Sequence, residues 1–275
     1  MNFSNKLKLC TPKPARTQSP EPLPPILMKT LLTIFILTFL TWTTKGQFPF
    51  EKYPAIKYKS YNDWKTYDKT EKEKKVNSTL TIPKFYDNGD TLTIQLTSFT
   101  DHWWDNSIIR IFRNKTETQK IFENMSFNPI GLDTLRVADI NGDGLQDIKI
   151  ISAYMGNGTA ALNVKVIYLF QQTDKSFRKV SFADKMSNNR QERDFDGDGN
   201  FEIITMNLVG HENHSYWLFN LFSFKDNELV NVNVKDNYPI MIQFLYRDNY
   251  EITSKIARDK MKTFALTLPD DYDAK

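Results

Sequence analysis

The 275-residue chain has one cysteine, Cys10, and only three histidines. Cys10 lies in a proline-rich N-terminal stretch, so the rest of the chain has no thiol for a disulfide bond or for nucleophilic catalysis. A catalytic serine needs a nearby histidine, and no serine of this chain lies in a G-x-S-x-G elbow. The histidines are His102, His211 and His214. These shortages argue against acyl-transfer chemistry, and we expect no catalytic residues.

The chain also has no large excess of charge of either sign. It has 36 Lys and Arg and 33 Asp and Glu, and six of the basic residues but one of the acidic residues lie in the first 46 positions. The remainder has 30 basic residues (36 minus 6) and 32 acidic residues (33 minus 1). Nucleic-acid binding needs a basic face. We therefore expect no nucleic-acid partner.

No apolar run is long enough to span a bilayer comfortably, which takes roughly 20 residues. The longest run, 31–42, follows Lys29 and precedes small residues, which is the layout of a secretory signal peptide. We predict a signal peptide over 28–46, with an uncleaved membrane anchor as the alternative. Residues 1–27 are interpreted as a disordered leader or a wrongly assigned start. The protein is then exported, to the periplasm or outside the cell, and meets the membrane only through this signal.

Beyond the signal, the composition changes twice. Residues 47–75 are rich in Tyr, Lys and Glu without a sustained period, which predicts an extended N-terminal arm. From residue 76 onward, short β-branched and aromatic runs alternate with Asn, Asp and Gly clusters, as in successive strands and turns. We predict an all-β domain over 76–268. Residues 269–275 are predicted to be a frayed acidic tail.

Within the β domain, similar runs recur about every 55 residues. Three similar runs begin 56 and then 55 residues apart, and each is followed by two further apolar runs. The three sets of runs are 91–96, 108–112 and 119–122; 147–152, 164–170 and 177–182; and 202–207, 216–222 and 228–232. We predict three antiparallel units, arranged as an incomplete β-propeller or as a β-sandwich. The stretch 250–264 fits either a helix or a fourth, degenerate unit.

Two acidic loops precede strands in the second and third units: DINGDGLQD at 139–147 and DFDGDGNFE at 194–202. Oxygen ligands at alternate positions, with glycine at the sharp turn, suit a hard divalent cation. The predicted ligands are the side chains of Asp139, Asn141, Asp143, Asp147, Asp194, Asp196, Asp198 and Glu202 and the backbone carbonyls of Leu145 and Asn200. Calcium fits these loops better than zinc, since the loops contain no Cys or His, and better than magnesium, which prefers a small octahedron. We predict two calcium sites.

Two other readings of these loops are simple Asp-Gly turns without metal and the helical calcium hand. The helical hand needs a glutamate at the twelfth loop position and a helix on each side. The twelfth positions here are Ile150 and Thr205, and the flanking sequences are strand-like. The closing carboxylates fall at the ninth position instead, at Asp147 and Glu202.

The loops resemble the calcium loops of FG-GAP/VCBS-type repeat proteins, in which an acidic hairpin loop binds calcium between strands of a β-propeller blade. The resemblance covers 132–235 well and 79–131 weakly. It implies calcium-ligand roles for the same ten residues. This sequence differs from the family pattern in two ways. Glu202 stands where the family usually has Asp, and three or four units are few for a closed propeller.

Candidate partner-binding residues lie in loops of the predicted units. Trp103 and Trp104 are adjacent in one loop, so they cannot both point into the same face of a strand. One of them is a candidate platform for a protein or glycan, and packing at the rim of the core is the alternative. The spacing of His211 and His214 would allow metal chelation, with solvated loop histidines as the alternative.

Together these features favour an exported, calcium-stabilised β-repeat binding module without catalytic activity, which recognises a protein or a glycan. The alternative is a periplasmic inhibitor or immunity protein against a cell-wall hydrolase, because some exported bacterial proteins with such loops are similar to lysozyme inhibitors. A hydrolase that uses paired carboxylates is a third hypothesis.

Overall fold

The computed structural model of the protein describes residues 48–69, 74–99, 107–124, 132–153, 157–244 and 256–275. The chain divides after Phe48, and Pro49–Lys275 is the unit described below. The predicted leader and signal peptide lie outside the described residues, as do Trp103 and Trp104. No helix in the described ranges is long and apolar enough to cross a membrane.

The prediction of an all-β fold is confirmed. The described residues form antiparallel strands, and the strand bounds are β1 Lys59–Tyr61, β2 Lys65–Lys69, β3 Lys75–Ile82, β4 Leu92–Phe99, β5 Ser107–Arg113, β6 Thr116–Glu123, β7 Leu135–Ala138, β8 Asp147–Ala153, β9 Asn163–Gln171, β10 Phe177–Lys185, β11 Ile203–His211, β12 His214–Lys225, β13 Glu228–Asn231, β14 Ile240–Phe244 and β15 Asp273–Ala274. A short helix, α1, spans Arg258–Lys262, and 3-10 turns span Pro49–Lys52, Gly158–Leu162 and Ser187–Asn189.

The strands form three open sheets. The N-terminal sheet has the order β2-β3-β4-β5-β6, and the central sheet has the order β1-β7-β8-β9-β10-β15. The C-terminal sheet has the order β11-β12-β13, and β14 also pairs with β12. In each sheet, three consecutive strands form a meander at the positions of the predicted runs: β4-β5-β6, β8-β9-β10 and β11-β12-β13. Strands β2 and β3 extend the first of these meanders, and β7 extends the second. The interpretation of these meanders as repeats stays a prediction.

The burial of side chains shows how the sheets stack. Strands β3 and β4 alternate between buried and less buried positions, whereas β8 and β9 are buried at almost every position. One apolar cluster joins the N-terminal sheet to the central sheet, and it includes Ile94 of the former and Ile167 of the latter. A second cluster joins the other face of the central sheet to the C-terminal sheet, where the rings of Phe170 and Phe224 stack 3.6 Å apart between centroids. The central sheet is therefore covered on both faces.

The segment predicted as an extended arm is part of two sheets. Strand β1 pairs with β7, and β2 pairs with β3. The reason is that aromatic side chains of this segment join the core: Tyr61 and Trp64 pack against the first cluster, and Trp64 Nε1 donates a hydrogen bond to the Asp133 carbonyl over 3.1 Å.

The segment 269–275 also differs from the predicted frayed tail, because Asp273–Ala274 forms β15 beside β10. The Asp273 carboxylate lies 2.5 Å from the Nζ of the buried Lys179, which also lies 2.9 Å from the Glu123 carboxylate. Since a buried ammonium group needs a counter-charge, the acidic residue at the chain end is held in the sheet.

The stretch 250–264, for which the sequence left a helix and a fourth unit open, contains α1. Met261 and Phe264 pack against Tyr216 and Leu218 of the C-terminal sheet. Residues 250–255 lie outside the described ranges. The described part of this stretch therefore contains a short helix, which packs against that sheet.

Candidate metal centre

The two acidic loops occupy equivalent positions at the ends of antiparallel strand pairs. The first loop connects β7 to β8, and Ala138 pairs with Asp147 across its base. The second loop is closed by an isolated bridge between Arg193 and Glu202, which exchange backbone hydrogen bonds of 3.1 and 2.8 Å. In each case the ninth loop residue begins the pairing, which places its carboxylate at the start of β8 or just before β11.

The first loop winds around the carboxylate of Asp139. That carboxylate accepts hydrogen bonds from the backbone N–H groups of Gly142 at 2.8 Å, Asp143 at 3.1 Å and Gly144 at 2.8 Å. Asp143 in turn accepts a 2.8 Å bond from the N–H of Leu145. The backbone dipoles thus hold two carboxylates at the mouth of the loop.

The second loop repeats this arrangement. Asp194 accepts from the N–H groups of Gly197 at 2.6 Å and Gly199 at 3.3 Å, and Asp198 accepts from Asn200 at 2.8 Å. The glycine φ angles are +74° and +84° in the first loop and +80° and +86° in the second, so the two loops turn in the same way. The sequence match between the loops is therefore also a match of backbone conformation.

The closing carboxylates are buried in both loops. Asp147 Oδ2 accepts from the N–H of Ile140 at 2.9 Å, and Glu202 Oε2 accepts from that of Phe195 at 3.0 Å. Burial, with a smaller contribution from neighbouring carboxylates, raises the pKa of each carboxyl to about 7, although the backbone hydrogen bonds oppose the rise. Ionised, these groups add negative charge to loops that already have several carboxylates, which favours a cation.

Three carboxylates of the second loop converge. Ligand oxygens of Asp194, Asp196 and Glu202 lie within 4.8 Å of one another. An oxygen-only set of this charge suits calcium or another hard cation. The Nζ of Lys235 forms an ion pair with Asp196, so an ammonium group already lies beside the triad. Sequence reasoning missed Lys235, which is 39 positions away and has no local signal.

The remaining predicted ligands are distributed unequally. Asp198 lies in the same loop as the triad but is not one of its three members. In the first loop Asn141 takes the place of one carboxylate and donates a 3.0 Å hydrogen bond to Asp143. Within the described residues, the carboxylates of the first loop do not form a convergent triad. The second loop is therefore the better formed of the two candidate sites.

The two loops touch each other. The N–H of Phe201 donates to the Ile140 carbonyl over 2.8 Å. A Cβ atom on Gly142 would lie 2.9 Å from the carbonyl oxygen of Gly199, so the contact admits no side chain there. The sequence gives no signal for this contact because it depends on how the central and C-terminal sheets stack. The candidate centre is thus a pair of adjoining acidic loops.

The histidine pair lies elsewhere, in the β11–β12 hairpin. His211 and His214 are Cα partners across a two-residue turn in which Glu212 and Asn213 have positive φ. The Nδ1 atom of His214 lies 3.2 Å from the Nε2 atom of Gln243, and the His211 ring packs edge-on against Phe264. Neither histidine belongs to the convergent group.

The chain matches no protein-family model, no curated protein and no solved structure.

Proposed function

We propose that the protein is an exported, calcium-stabilised β-repeat binding module of the FG-GAP/VCBS type, without catalytic activity of its own. It recognises a protein or glycan partner through the loops that its sheets hold in place. The observation that carries the proposal is the convergent triad of Asp194, Asp196 and Glu202, in a loop whose sequence and hydrogen bonds recur 55 residues earlier.

The second site is held by the side chains and the carbonyl predicted from the sequence: Asp194, Asp196, Asp198, Asn200 and Glu202. The first site uses Asp139, Asn141, Asp143, Leu145 and Asp147. A bound calcium ion supplies positive charge that offsets the mutual repulsion of these carboxylates. Each ion then links the loop to the start of the following strand. An ion that binds only the folded chain stabilises it by mass action.

Lys235 gives the second site a built-in competitor. Its ammonium group neutralises part of the charge of Asp196, and the side chain is half exposed, so it is free to move away when a divalent ion binds. Calcium then displaces one positive charge as it brings two. We therefore expect calcium binding at this site to weaken with salt less steeply than its carboxylate count suggests.

Calorimetric titration of the full chain with calcium tests the proposal. Two sites are expected, and Asp196→Asn is expected to weaken one of them at least tenfold because it removes a carboxylate of the triad. Asp259→Asn is the matched control, since Asp259 is an exposed carboxylate on α1 that pairs with Lys262 and lies outside both acidic loops. A wild-type protein that binds no calcium, or equal losses in both variants, would contradict the proposal.

A further inference from the structure

The N-terminal sheet has two faces, and its apolar cluster lies on one of them. Along β4, Leu92 and Ile94 are buried in the cluster shared with the central sheet. Successive side chains of a strand point to opposite faces, so Thr93 and Gln95 point away from the central sheet, to the outer face. Thr93 Oγ1 lies 3.0 Å from Thr81 Oγ1 of β3, which places Thr81 on the outer face as well.

One row of paired residues crosses the outer face at right angles to the strands. This cationic row contains one residue from each of β2 to β6: Lys65, Thr79, Gln95, Arg110 and Lys120. Neighbouring strands lie about 4.8 Å apart, so four spacings give a row of about 19 Å. Lys65 and Lys120 are exposed, and the side chain of Arg110 is 26% exposed. The row is therefore an extended strip that solvent can reach.

The outer face is basic, although the chain beyond the predicted signal is not. Lys75 of β3 points to the same face as Thr79, so it adds a fourth basic residue to the three of the cationic row. Among the described side chains of this face, Glu117 is the one acidic residue, which gives a net charge of +3 (4 minus 1). Residues 47–275 have 30 basic and 32 acidic residues. Positive charge is thus concentrated on this face.

Most of these cations have no counter-charge in the protein. Three of the four form no ion pair with a carboxylate of the described residues: Lys65, Lys75 and Lys120. The fourth, Arg110, lies 3.7 Å from the Glu117 carboxylate through its Nε atom and donates a 3.0 Å hydrogen bond to Thr97. Complementary charge is what guides association with a partner, so this face suits a polyanion.

The cationic row also has polar and apolar neighbours. Strand β5 presents Ile108, Arg110 and Phe112 in turn on the outer face, so apolar side chains border the row on both sides. Within the row, the Thr79 hydroxyl and the Gln95 amide can each donate and accept hydrogen bonds. The face therefore combines cations, hydrogen-bonding groups and apolar surface in one flat strip.

This combination suits an acidic polysaccharide better than the other common polyanions. Single-stranded nucleic acid stacks its bases on aromatic rings, but the ammonium groups of Lys120 and Lys75 lie over Phe122 and Phe99, at 4.9 and 5.8 Å from the ring centroids. A membrane-binding face inserts several apolar side chains, whereas Phe122 is the one large apolar residue exposed among the described residues of this face.

We propose that the outer face of the N-terminal sheet binds a linear acidic polysaccharide, built from uronic acid residues and laid along the cationic row. Its carboxylates pair with the basic side chains, its hydroxyl groups bond to Thr79 and Gln95, and the C–H faces of its rings lie on Ile108 and Phe112. The inference rests on the proposed binding function, since it names a glycan as the partner. It does not depend on metal in the acidic loops.

The test is fluorescence-anisotropy titration of the full chain with labelled β-1,4-linked glucuronate oligosaccharides, at one fixed calcium concentration and at low and high salt. Cello-oligosaccharides of the same length are the matched ligand control, because they differ only at carbon 6. The variants Lys65→Gln and Lys120→Gln each remove one charge of the row. Lys225→Gln is the control variant, since Lys225 is an exposed lysine at the end of β12, in another sheet.

The wild type and Lys225→Gln are expected to bind the glucuronate oligosaccharides saturably, and the neutral oligosaccharides about tenfold more weakly or less. Each row variant should bind about threefold more weakly, and the double variant about tenfold more weakly, because exposed charge pairs contribute modestly. High salt should weaken the wild type more than the double variant. Melting temperatures should be unchanged, because neither lysine has a carboxylate partner among the described residues.

Three results would overturn the inference. The first is no saturable binding of the glucuronates to the wild type; a calcium titration of the same sample then shows whether the calcium-stabilised module still stands. The second is an equal loss in Lys225→Gln and the row variants, which would mean attraction to charge without a site. The third is tighter binding of a labelled oligothymidylate or of phosphatidylglycerol vesicles, which would assign the face to nucleic acid or to membrane.

Discussion

The buried carboxylates of Asp147 and Glu202 have a free-energy cost that depends on pH. Each is held by a backbone N–H group, yet burial raises the pKa of each to about 7. A raised folded-state pKa means that the folded protein holds the proton more tightly than the unfolded chain. In the metal-free protein, the protonated carboxyls therefore contribute to the free energy of unfolding. That contribution is complete below about pH 4 and is lost as the pH rises through about 7.

Asp147→Asn tests this in the presence of chelator. A pKa that rises from 3.8 to about 7 corresponds to about 4 kcal/mol, at about 1.4 kcal/mol per pH unit. Urea denaturation gives the free energy of unfolding of the wild type and of the variant at each pH. We expect the difference, wild type minus variant, to fall by up to about 4 kcal/mol between pH 4 and pH 8. The variant rearranges the hydrogen bonds of Ile140 and Gln171, which shifts the difference by a constant. A difference that is flat with pH would refute the assignment.

At the scale of elements, the position of the loops depends on contacts between sheets. A buried ion cluster of Glu123, Lys165 and Lys179 joins β6 of the N-terminal sheet to β9 and β10 of the central sheet, with N–O distances of 3.2 and 2.9 Å. A second buried pair, Lys149 and Glu192 at 2.6 Å, fixes the segment that leads into the second acidic loop. Burial alone would raise the pKa of Glu192, but Lys149 and the hydroxyl groups of two tyrosines lower it below its ordinary value.

Gly142→Ala probes the contact between the two acidic loops, with Gly144→Ala as its matched control. Both glycines have positive φ, which costs an alanine about 1–2 kcal/mol. A Cβ at Gly144 would meet open space, whereas one at Gly142 would lie 2.9 Å from the Gly199 carbonyl oxygen. We therefore expect Gly142→Ala to be less stable than Gly144→Ala by about 1–3 kcal/mol in urea denaturation. Equal losses would mean that the loops do not touch.

At the scale of the whole molecule, local patterns in the sequence predicted the strands and the acidic loops. The pairing of distant segments and the stacking of the sheets depend on residues far apart in the chain, which those patterns do not specify. The runs at 147–152 and 164–170 are strands because their β-branched residues fill a sheet buried on both faces. The acidic loops carry their own turn chemistry, so their conformation could be predicted from nine residues each.

Pairing over long distances in the chain had no such signal. The segments around Trp64 and Asp273 were predicted to be a polar arm and a tail. The hydrogen-bond acceptor of Trp64 is 69 positions away in the chain, and the Lys179 ammonium group that holds Asp273 is 94 positions away. Alternation and composition describe each strand but do not specify which faces meet.

The central claim, that the acidic loops bind calcium and so stabilise the folded chain, is tested most directly by thermal melting of the full chain with calcium and with chelator. A ligand at 100 times its dissociation constant stabilises by about 2.7 kcal/mol per site. We predict that calcium raises the melting temperature of the wild type, and that the rise is smaller in Asp194→Asn and unaltered in Asp259→Asn. Identical melting temperatures of the wild type with calcium and with chelator would contradict the claim.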